Sequence, residues 1–471
     1  MKRVLSVLTL LAMSSGMLGQ EITETKLIAS DGAEGDWFGG SASISGDYAL
    51  VGAYLDDGNN GTNSGSAYVF ERDRASNWSE GQKLTASDGA SMDRFGRGVS
   101  ISGNYAVIGA VGDDDAGDRS GSAYVFERQS NGHWLEVQKL TAFDAAAVDQ
   151  FGFGVSISGD YAVVGAPYDD NNNGTDAGSA YVFERDGAGN WIEVQKLTAF
   201  DGAVSDIFGS RVSISGDYAV ISAFLDDDNG IDSGSAYVFE RDGLGNWNEV
   251  QKLTALDGAT DDKFGRRVSI SGDHAVIGAY HDDDDGSNSG SAYLFERDRA
   301  GSWSQVQNLT ASDGAAEDLF GDSVSISGDY AVIGAYGDDD NGETSGSAYV
   351  FERNAGGIWQ EIHKLSASDG SANDVFGYST SISGNAILIG AFYDDDNGEN
   401  SGSAYVYNIE EATVCPGDAT GDLVVDVVDF SQLLIDFGQS GPGLSADFNG
   451  DNIVDVQDFS ILLVNFGNSC E

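Results

Sequence analysis

The sequence has 471 residues, with 77 acidic side chains against 23 basic ones and a formal net charge of −54. Such a chain is excluded as a natural partner of nucleic acids and of anionic membranes, since both need clustered lysine and arginine. It attracts cations instead, although the same charges also keep a protein solvated.

The first twenty residues have the features of a secretory signal peptide. Lys2 and Arg3 precede an apolar stretch at residues 4–13, and small or polar residues follow it. The apolar stretch is too short to cross a bilayer, so we expect cleavage near Gly19 or Gln20. No later segment is apolar enough to span a membrane. The mature protein is therefore predicted to be extracellular, either secreted or held at the cell surface.

A repeat occupies most of the chain. From Phe38 to Phe376, seven Phe-Gly dipeptides follow one another at intervals of 56 or 57 residues. Each unit has four strand-like runs separated by turn signals, which in the sixth unit read VSIS, YAVIGA, AYVF and WQEIHKL. Small residues dominate the first two runs and aromatic residues the last two, as the blades of a ring require. The pattern predicts an all-β fold, a seven-bladed β-propeller with four strands per blade.

The strand count predicts how the ring closes. The seventh unit ends at Tyr407 without its fourth strand, and a lone equivalent at residues 24–30 precedes the first Phe-Gly. If this N-terminal strand completes the last blade, the sheet edges are hidden. We therefore expect a closed, monomeric propeller over residues 22–408.

The repeated residues resemble a known family. Phe-Gly, then Val-x-Ile-x-Gly-Asp, then Gly-Ala-Pro (verbatim at residues 165–167) is similar to the FG-GAP repeat of integrin alpha chains and of secreted bacterial proteins. The likeness covers all seven units. Integrin-type blades hold calcium between the first and second strands, where this chain has only Ser-Gly-Asp. The calcium ligands of the family therefore do not carry over.

An aspartate-rich loop follows the second strand of each unit instead. It reads DDDNGID at residues 226–232 and DDDNGET at residues 338–344. Calcium takes six to eight oxygen ligands, and such a loop supplies several. Asp, Asn and Gly also favour ordinary surface turns. Two interpretations stay open, a solvated turn or a metal site, and the candidate ligands are Asp226, Asp228, Asp232, Asp338 and Asp340.

A second aspartate lies two residues before every Phe-Gly. Because it recurs in each unit, we expect an architectural role, in which the carboxylate accepts backbone hydrogen bonds at a turn of the blade. The seven residues are Asp36, Asp93, Asp149, Asp206, Asp262, Asp318 and Asp374.

The composition changes after a linker at residues 409–414. Residues 415–471 contain ten acidic residues and no Lys, Arg or His, in two matching segments that each run from an aspartate-rich loop into a helical apolar pattern. The predicted apolar stripes are Phe430, Leu433, Leu434 and Phe437, and Phe459, Leu462, Leu463 and Phe466. Calcium explains loops whose carboxylates would otherwise repel each other. The predicted ligands are Asp447, Asn449, Asp451, Ile453, Asp455 and Asp458 in the second loop, and Asp418, Thr420, Asp422, Val424, Asp426 and Asp429 in the weaker first one.

These segments resemble the dockerin module, an EF-hand-like pair of calcium loops found on secreted, often polysaccharide-degrading bacterial proteins. The resemblance covers residues 415–471 and implies a cohesin-like protein partner. In dockerins the partner contacts loop positions 10 and 11, which here are Val427, Val428, Val456 and Gln457. The first loop departs from the pattern, with Thr420 and Leu423 at positions usually taken by Asn and Gly.

The two cysteines of the chain, Cys415 and Cys470, bracket this module. In an exported protein an even pair predicts a disulfide bond. Two isolated cysteines without a nearby histidine are a poor zinc site. We therefore expect a bond that joins the ends of the module.

Three functions are compatible with these patterns. The first is a non-catalytic propeller for adhesion or for binding a glycan or an extracellular protein. The second is an enzyme of polysaccharide catabolism, and the third is a purely structural surface protein. No nucleophile motif, phosphate loop or zinc spacing occurs, and the four histidines (His133, His274, His281 and His363) lie at unrelated positions of the repeat. His, Arg or aromatic residues that occur in one blade only and face the channel would favour an enzyme. The blades are near-identical, which favours binding or structure.

Overall fold

The computed structural model describes residues 22–58, 60–409, 419, 424–425, 427–440, 444–448 and 453–466. The chain divides into two compact units, one formed by residues 24–407 and one that contains the described C-terminal residues. The predicted signal peptide (residues 1–20), most of the predicted linker and both cysteines lie outside the described residues. Neither of the two described helices combines the length and apolar character that a bilayer span needs.

The first unit consists of seven four-stranded sheets, which confirms the predicted seven-bladed propeller. We number the blades by their Phe-Gly pairs. The strands are β1 Ile22–Leu27; in blade 1 β2 Phe38–Ser45, β3 Tyr48–Ala53, β4 Ser66–Arg72 and β5 Trp78–Leu84; in blade 2 β6 Phe95–Ser102, β7 Tyr105–Ala110, β8 Ser122–Arg128 and β9 Trp134–Leu140; in blade 3 β10 Val155–Ser158, β11 Tyr161–Ala166, β12 Ser179–Arg185 and β13 Trp191–Leu197; in blade 4 β14 Val212–Ser215, β15 Tyr218–Ala223, β16 Ser235–Arg241 and β17 Trp247–Leu253; in blade 5 β18 Arg267–Ser271, β19 His274–Ala279, β20 Ser291–Arg297 and β21 Trp303–Leu309; in blade 6 β22 Ser323–Ser327, β23 Tyr330–Ala335, β24 Ser347–Arg353 and β25 Trp359–Leu365; and in blade 7 β26 Ser379–Ser383, β27 Ala386–Ala391 and β28 Ser403–Ile409.

The ring closes as the strand count predicts. Strand β1 is the fourth strand of blade 7, in the order β1-β28-β27-β26. The Glu24 carboxylate accepts hydrogen bonds from the Ser368 hydroxyl (2.6 Å) and the Tyr407 hydroxyl (2.9 Å). On the inner side, the Ile44 N–H of blade 1 donates to Ser381 Oγ of blade 7 at 3.1 Å. Strand β1 is thus held within blade 7, and blades 1 and 7 are joined at their inner strands.

Each Phe-Gly pair anchors a blade and brings it close to its neighbour. In blade 4 the buried Phe208 ring packs edge-on against Tyr237 and Phe239, with centroids 5.5 and 6.1 Å away. Gly209 has φ +90°, and a Cβ there would lie 2.2 Å from the Ser179 carbonyl oxygen of blade 3. Only glycine accepts both this backbone conformation and this approach.

Neighbouring blades are also joined by a repeated amide contact. The Gln195 side chain of blade 3 accepts a hydrogen bond from the Trp247 N–H (2.8 Å) and donates one to the Trp247 carbonyl oxygen (2.7 Å). The same two-way contact recurs at Gln82–Trp134, Gln138–Trp191, Gln251–Trp303 and Gln307–Trp359. These contacts join blades 1 to 6 in succession, and β1 closes the ring, so we expect the ring to unfold as a unit.

The C-terminal unit contains two helices, α1 Val427–Asp436 and α2 Val456–Asn465. Leu433 and Leu462 are buried with Val425, Ala446 and Val454, and these five residues form its small core. The predicted apolar stripes are therefore only half right. Phe430 and Phe459 pack against the core, whereas the second half of each stripe is exposed, at Leu434, Phe437, Leu463 and Phe466.

Candidate functional site

The aspartate-rich loops have a partner that the sequence patterns did not single out. In every blade this loop joins the second strand to the third, so all seven loops lie at the same end of the ring. In blade 4 the Lys252 ammonium of the fourth strand lies 3.0 Å from Asp201, 2.9 Å from Asp226 and within hydrogen-bond distance of Asp228. Equivalent lysines with carboxylate partners are Lys26, Lys83, Lys139, Lys196 and Lys364.

The Lys252 ammonium contacts the carboxylates of the loop, as a bound cation would. Burial alone would lower the pKa of Lys252, but its three carboxylate partners raise it above its ordinary value. Asp226 is only 3% exposed, and its carboxylate also lies 3.0 Å from the Tyr237 hydroxyl. A buried carboxylate needs such partners. The lysine and the tyrosine therefore account for this aspartate without a metal ion.

The other candidate metal ligands contact two different lysines. Asp338 and Asp340 are brought together around Lys364, in the same way as their counterparts in blade 4. Asp232 lies apart from Asp226, and its carboxylate is 3.2 Å from Lys263 Nζ. Calcium at these loops stays an untested prediction.

Blade 5 departs from this arrangement. Asn308 occupies the lysine position, opposite Tyr293 in the strand register. Its Oδ1 atom is buried and has no hydrogen-bond partner among the described residues. Repulsion from Asp282, followed by burial, raises the pKa of Asp284. This blade therefore keeps the carboxylates without the ammonium that balances them elsewhere.

The aspartate before each Phe-Gly has the predicted architectural role. In blade 4 the Ala203 N–H donates to Asp206 Oδ2 at 2.7 Å, and the other six blades repeat the contact. Burial raises the pKa of Asp206 to about 6, although the backbone hydrogen bond opposes the shift. The same value holds for the other six aspartates.

The centre of the ring is where the blades differ, which corrects the expectation of near-identical blades. The position directly after each Phe-Gly carries six different amino acids in seven blades. They are Gly40, Arg97, Phe153, Ser210, Arg266, Asp322 and Tyr378. The next position is Arg211 in blade 4 and Arg267 in blade 5. A cavity of about 130 Å³ is lined by the residues that open the first strands of all seven blades.

These central residues form a cluster of guanidinium groups and aromatic rings. Arg266 Nε donates to Asp322 Oδ1 at 2.8 Å, and Arg267 Nε donates to the Asp322 carbonyl oxygen at 3.1 Å. Asp322 is fully buried; burial would raise its pKa, but Arg266 and Arg267 hold it below its usual range. The Arg97 guanidinium carbon lies 4.6 Å from the Phe153 ring centroid. We call Arg97, Arg211, Arg266, Arg267 and Asp322 the channel cluster.

The C-terminal loops repeat one contact. The Ala419 N–H donates to Asp429 Oδ1 and the Phe448 N–H donates to Asp458 Oδ1, each at 2.8 Å. Both carboxylates are fully buried at the start of a helix. Asp455 caps α2 and accepts the Gln457 N–H at 2.7 Å.

Some of the other residues predicted for this module lie within the part of the chain that the structure describes, and others lie outside it. Asp447, Ile453 and Val424 are described. The predicted partner positions Val427, Val428, Val456 and Gln457 are exposed at the helix starts. Six predicted ligands lie outside the described residues: Asp418, Thr420, Asp422, Asp426, Asn449 and Asp451.

The fold and the central cavity define a repeat propeller of seven Phe-Gly blades. Comparison with known families identifies its family. The model of the FG-GAP repeat matches residues 22–70, 78–126, 134–183, 191–239, 247–295, 303–351 and 359–407. The first match begins with β1 and each later one with a fourth strand, so β1 is equivalent to the fourth strands. The chain belongs to the FG-GAP repeat family.

Two further comparisons were made. A search of curated proteins found no match. A search of solved structures returned, among others, the periplasmic gluconolactonase PpgL of Pseudomonas aeruginosa, with 15% identity and a TM-score of 0.46. That match covers 70% of this chain and 86% of the other one. No functional argument rests on a likeness of this level.

Proposed function

We propose that this protein is an exported, non-catalytic propeller that binds an extracellular glycan or protein at its central channel. One observation carries the proposal: the position after each Phe-Gly varies from blade to blade, on a scaffold that otherwise repeats. A repeated position supports every blade in the same way. A ring of unlike side chains around one cavity has the character of a ligand site.

Arginine and aromatic residues that occur in single blades would suit an enzyme as well as a binding site, but the described lining of the cavity contains no carboxyl group and no histidine, which favours binding. Its described lining contains guanidinium groups, the Phe153 ring, Ser and Thr hydroxyls and small or aliphatic residues. These groups recognise charge and apolar surface. Glycosidases use a pair of carboxyl groups that flank the scissile bond. Asp322, the carboxylate of the channel cluster, is fully buried and paired with Arg266. A purely structural ring gives no reason for these differences between blades.

A second function is proposed for the C-terminal unit, namely attachment through a calcium-dependent module of the dockerin type. The repeated burial of Asp429 and Asp458, each with the same backbone contact, supports two equivalent loops. Asp447, Asp455 and Asp458, with the Ile453 carbonyl oxygen, would hold calcium in the second loop. Oxygen ligands of this kind suit calcium, and the ion would offset the repulsion between the carboxylates.

A cohesin-like protein is the proposed partner of this unit. Val427, Val428 and Val456 are more than half exposed, and Leu463 and Val464 add to the apolar surface of the helices. Exposed apolar surface of this kind is typical of interaction sites. Export by the N-terminal signal peptide and the Cys415–Cys470 disulfide bond complete the proposal.

The channel function is tested by measuring retention of the mature protein on acidic and neutral polysaccharides and on extracellular proteins, with calcium present. The double substitution Phe153→Ala and Tyr378→Ala removes one ring of the cavity lining and one ring that packs against the Arg267 guanidinium. We expect it to weaken retention by about tenfold or more, as the loss of central aromatic contacts does.

The matched control is Leu244→Ala. Leu244 is 89% exposed and lies between β16 and β17, at the end of the strands away from the acidic loops. This control should bind as the unmodified protein does. Equal retention of all three proteins would refute a ligand site in the channel.

A further inference from the structure

The cavity in the central channel has a positively charged lining in a strongly acidic protein. Its charged side chains are Arg97, Arg211 and Arg267. We propose that it binds an oxyanion group, a carboxylate or a sulfate, with Arg211 as the main donor. This inference rests on the proposed function and names the chemical class of its ligand.

Arg211 carries most of the argument, because its guanidinium group is buried without enough acceptors. The residue is 7% exposed. Its Nη1 donates to the Ser210 carbonyl oxygen at 2.7 Å, whereas Nε and Nη2 are buried without a hydrogen-bond partner among the described residues. Leaving a buried donor unpaired is unfavourable, and more so when the donor is charged. An oxyanion would supply the missing acceptors.

The channel cluster has four arginines and one aspartate, so its net charge is positive and a negative group would be attracted to it. Asp322 balances Arg266, which is its hydrogen-bonded partner at 2.8 Å. Within the described part of the chain, neither Arg97 nor Arg211 has a carboxylate within ion-pair distance. Burial, followed by repulsion from Arg267 and Arg97, lowers the pKa of Arg211 well below its ordinary value. A bound anion would reverse the effect of that repulsion.

The donors are held in place by contacts that only this part of the ring has. The Arg211 N–H donates to Ser222 Oγ at 3.0 Å, and Ser222 takes a position that is glycine in the other six blades. The Phe153 ring centroid lies 4.8 Å from the Arg211 guanidinium carbon and 4.6 Å from that of Arg97. Preorganised donors lose little conformational entropy when a ligand binds.

The geometry of the donors and the size of the cavity agree with an oxyanion group. A guanidinium presents a planar fork of N–H groups that matches two oxygens of a carboxylate or a sulfate. The volume of about 130 Å³ compares with about 30 Å³ for one water molecule in the liquid. It has room for one such group. The remainder of a glycan ligand would lie outside the cavity.

The test is isothermal titration of the full-length mature protein with three probes. They are a trigalacturonate, its neutral methyl ester and inorganic sulfate, at one ionic strength. The variants are Arg211→Gln and Arg97→Gln, so that the test survives if one of them does not fold. The control is Arg119→Gln, because the Arg119 side chain is half exposed on the acidic loop of blade 2.

We expect trigalacturonate to bind and its ester not to bind. Arg211→Gln should weaken binding by about tenfold or more, as the loss of a charge-assisted hydrogen bond does, and the control should change it less than about twofold. Sulfate binding would show that a free oxyanion suffices, and binding of the uronate alone would place the anion on a sugar. Either result supports the inference.

Two results would overturn it. If the acid and its ester bind equally, and Phe153→Ala with Tyr378→Ala weakens both while Arg211→Gln weakens neither, the channel is a ligand site but not an oxyanion site. If none of the probes binds, the oxyanion inference fails, and retention on other ligands still tests the proposed function separately.

Discussion

The acidic loops and the channel cluster show two uses of charge in one ring. At the loops, six blades place a lysine against aspartates, in nearly the same geometry each time. In the channel, four arginines from three blades surround one aspartate, and no two blades contribute the same pair of residues. The repeated contacts balance opposite charges, whereas in the channel Arg211 has no carboxylate partner among the residues that the structure describes.

This difference separates folding from function within the repeat. A contact made in every blade must serve the blade itself, because each blade needs the same support. A residue that occurs in one blade only takes no part in the contacts that the blades repeat. We therefore propose that the lysine–aspartate contacts serve stability and that the channel cluster serves recognition.

Among the changes that test this comparison, removal of strand β1 should have the largest effect on the stability of the propeller. A protein that starts after Ser30 lacks β1 and with it Lys26, which contacts Asp369, Asp394 and Asp396 of blade 7. Since the blades support one another in a ring, we expect loss of the single cooperative transition for the whole propeller, measured by calorimetry. The substitution Lys26→Asn is the control and should only lower the melting temperature. A truncated protein that melts like the full ring would contradict the closure.

Calcium removal should have a smaller and local effect. If calcium binds the loops of the C-terminal unit, chelation removes about 3–4 kcal/mol of local stability, as expected for an ion present at about 100 to 1,000 times its dissociation constant. Hydrogen exchange of the full-length protein should then speed up in α1 and α2 and stay unchanged in the propeller strands. Unchanged exchange in both helices would remove the calcium proposal, and faster exchange in the acidic loops would revive a metal role there.

The pH dependence comes from the seven aspartates that precede Phe-Gly. Their pKa is about 6 in the folded protein and near 4 in an unfolded chain. Each therefore contributes stability that is complete below pH 4 and is lost as the pH rises through 6. Contacts with lysine lower the pKa of Asp31 and Asp88 although burial opposes the shift, so their contribution is lost only under more acidic conditions.

We therefore expect the melting temperature of the propeller to rise as the pH is lowered from 8 to about 5, and then to fall. Asp206→Asn keeps an oxygen acceptor but removes one titrating group, so it should reduce the slope. A melting temperature that is constant over this range would contradict the raised pKa values.

The smallest expected effect is the repair of blade 5. Asn308→Lys restores an ammonium beside Asp282 and Asp284, and should raise the free energy of unfolding by on the order of 1 kcal/mol. The matched change Lys252→Asn removes an ammonium and strands the buried Asp226, so a loss of about 2–4 kcal/mol is expected. Chemical denaturation measures both. Destabilisation by Asn308→Lys would show that blade 5 is built differently from the others.

Much of the propeller could be predicted, because its signals repeat. The spacing of Phe-Gly gave the number of blades, and the missing fourth strand after Tyr407 gave the closure by β1. The lysine partners of the loops were missed, although a lysine occurs in six of the seven fourth strands. A loop and a strand about 25 residues apart meet only through the sheet register, which periodicity does not reveal.

The channel cluster was missed for the opposite reason. A repeat template is built from what the units share, and Arg97, Arg211 and Asp322 stand at the positions that they do not share. Comparison of the positions after each Phe-Gly would have shown them. In the C-terminal unit the helices were predicted, but the exposure of Leu434 and Leu463 was not, since a short two-helix unit has too small a core to bury a full stripe.

The most direct test of the central claim measures stability and trigalacturonate affinity together, in Arg211→Gln and Lys252→Asn. Our account predicts that Arg211→Gln loses binding without a fall in melting temperature, because it removes an unpaired buried charge. Lys252→Asn should melt at a lower temperature and bind normally. If Arg211→Gln destabilises the ring and binds normally, the separation of folding from recognition is contradicted.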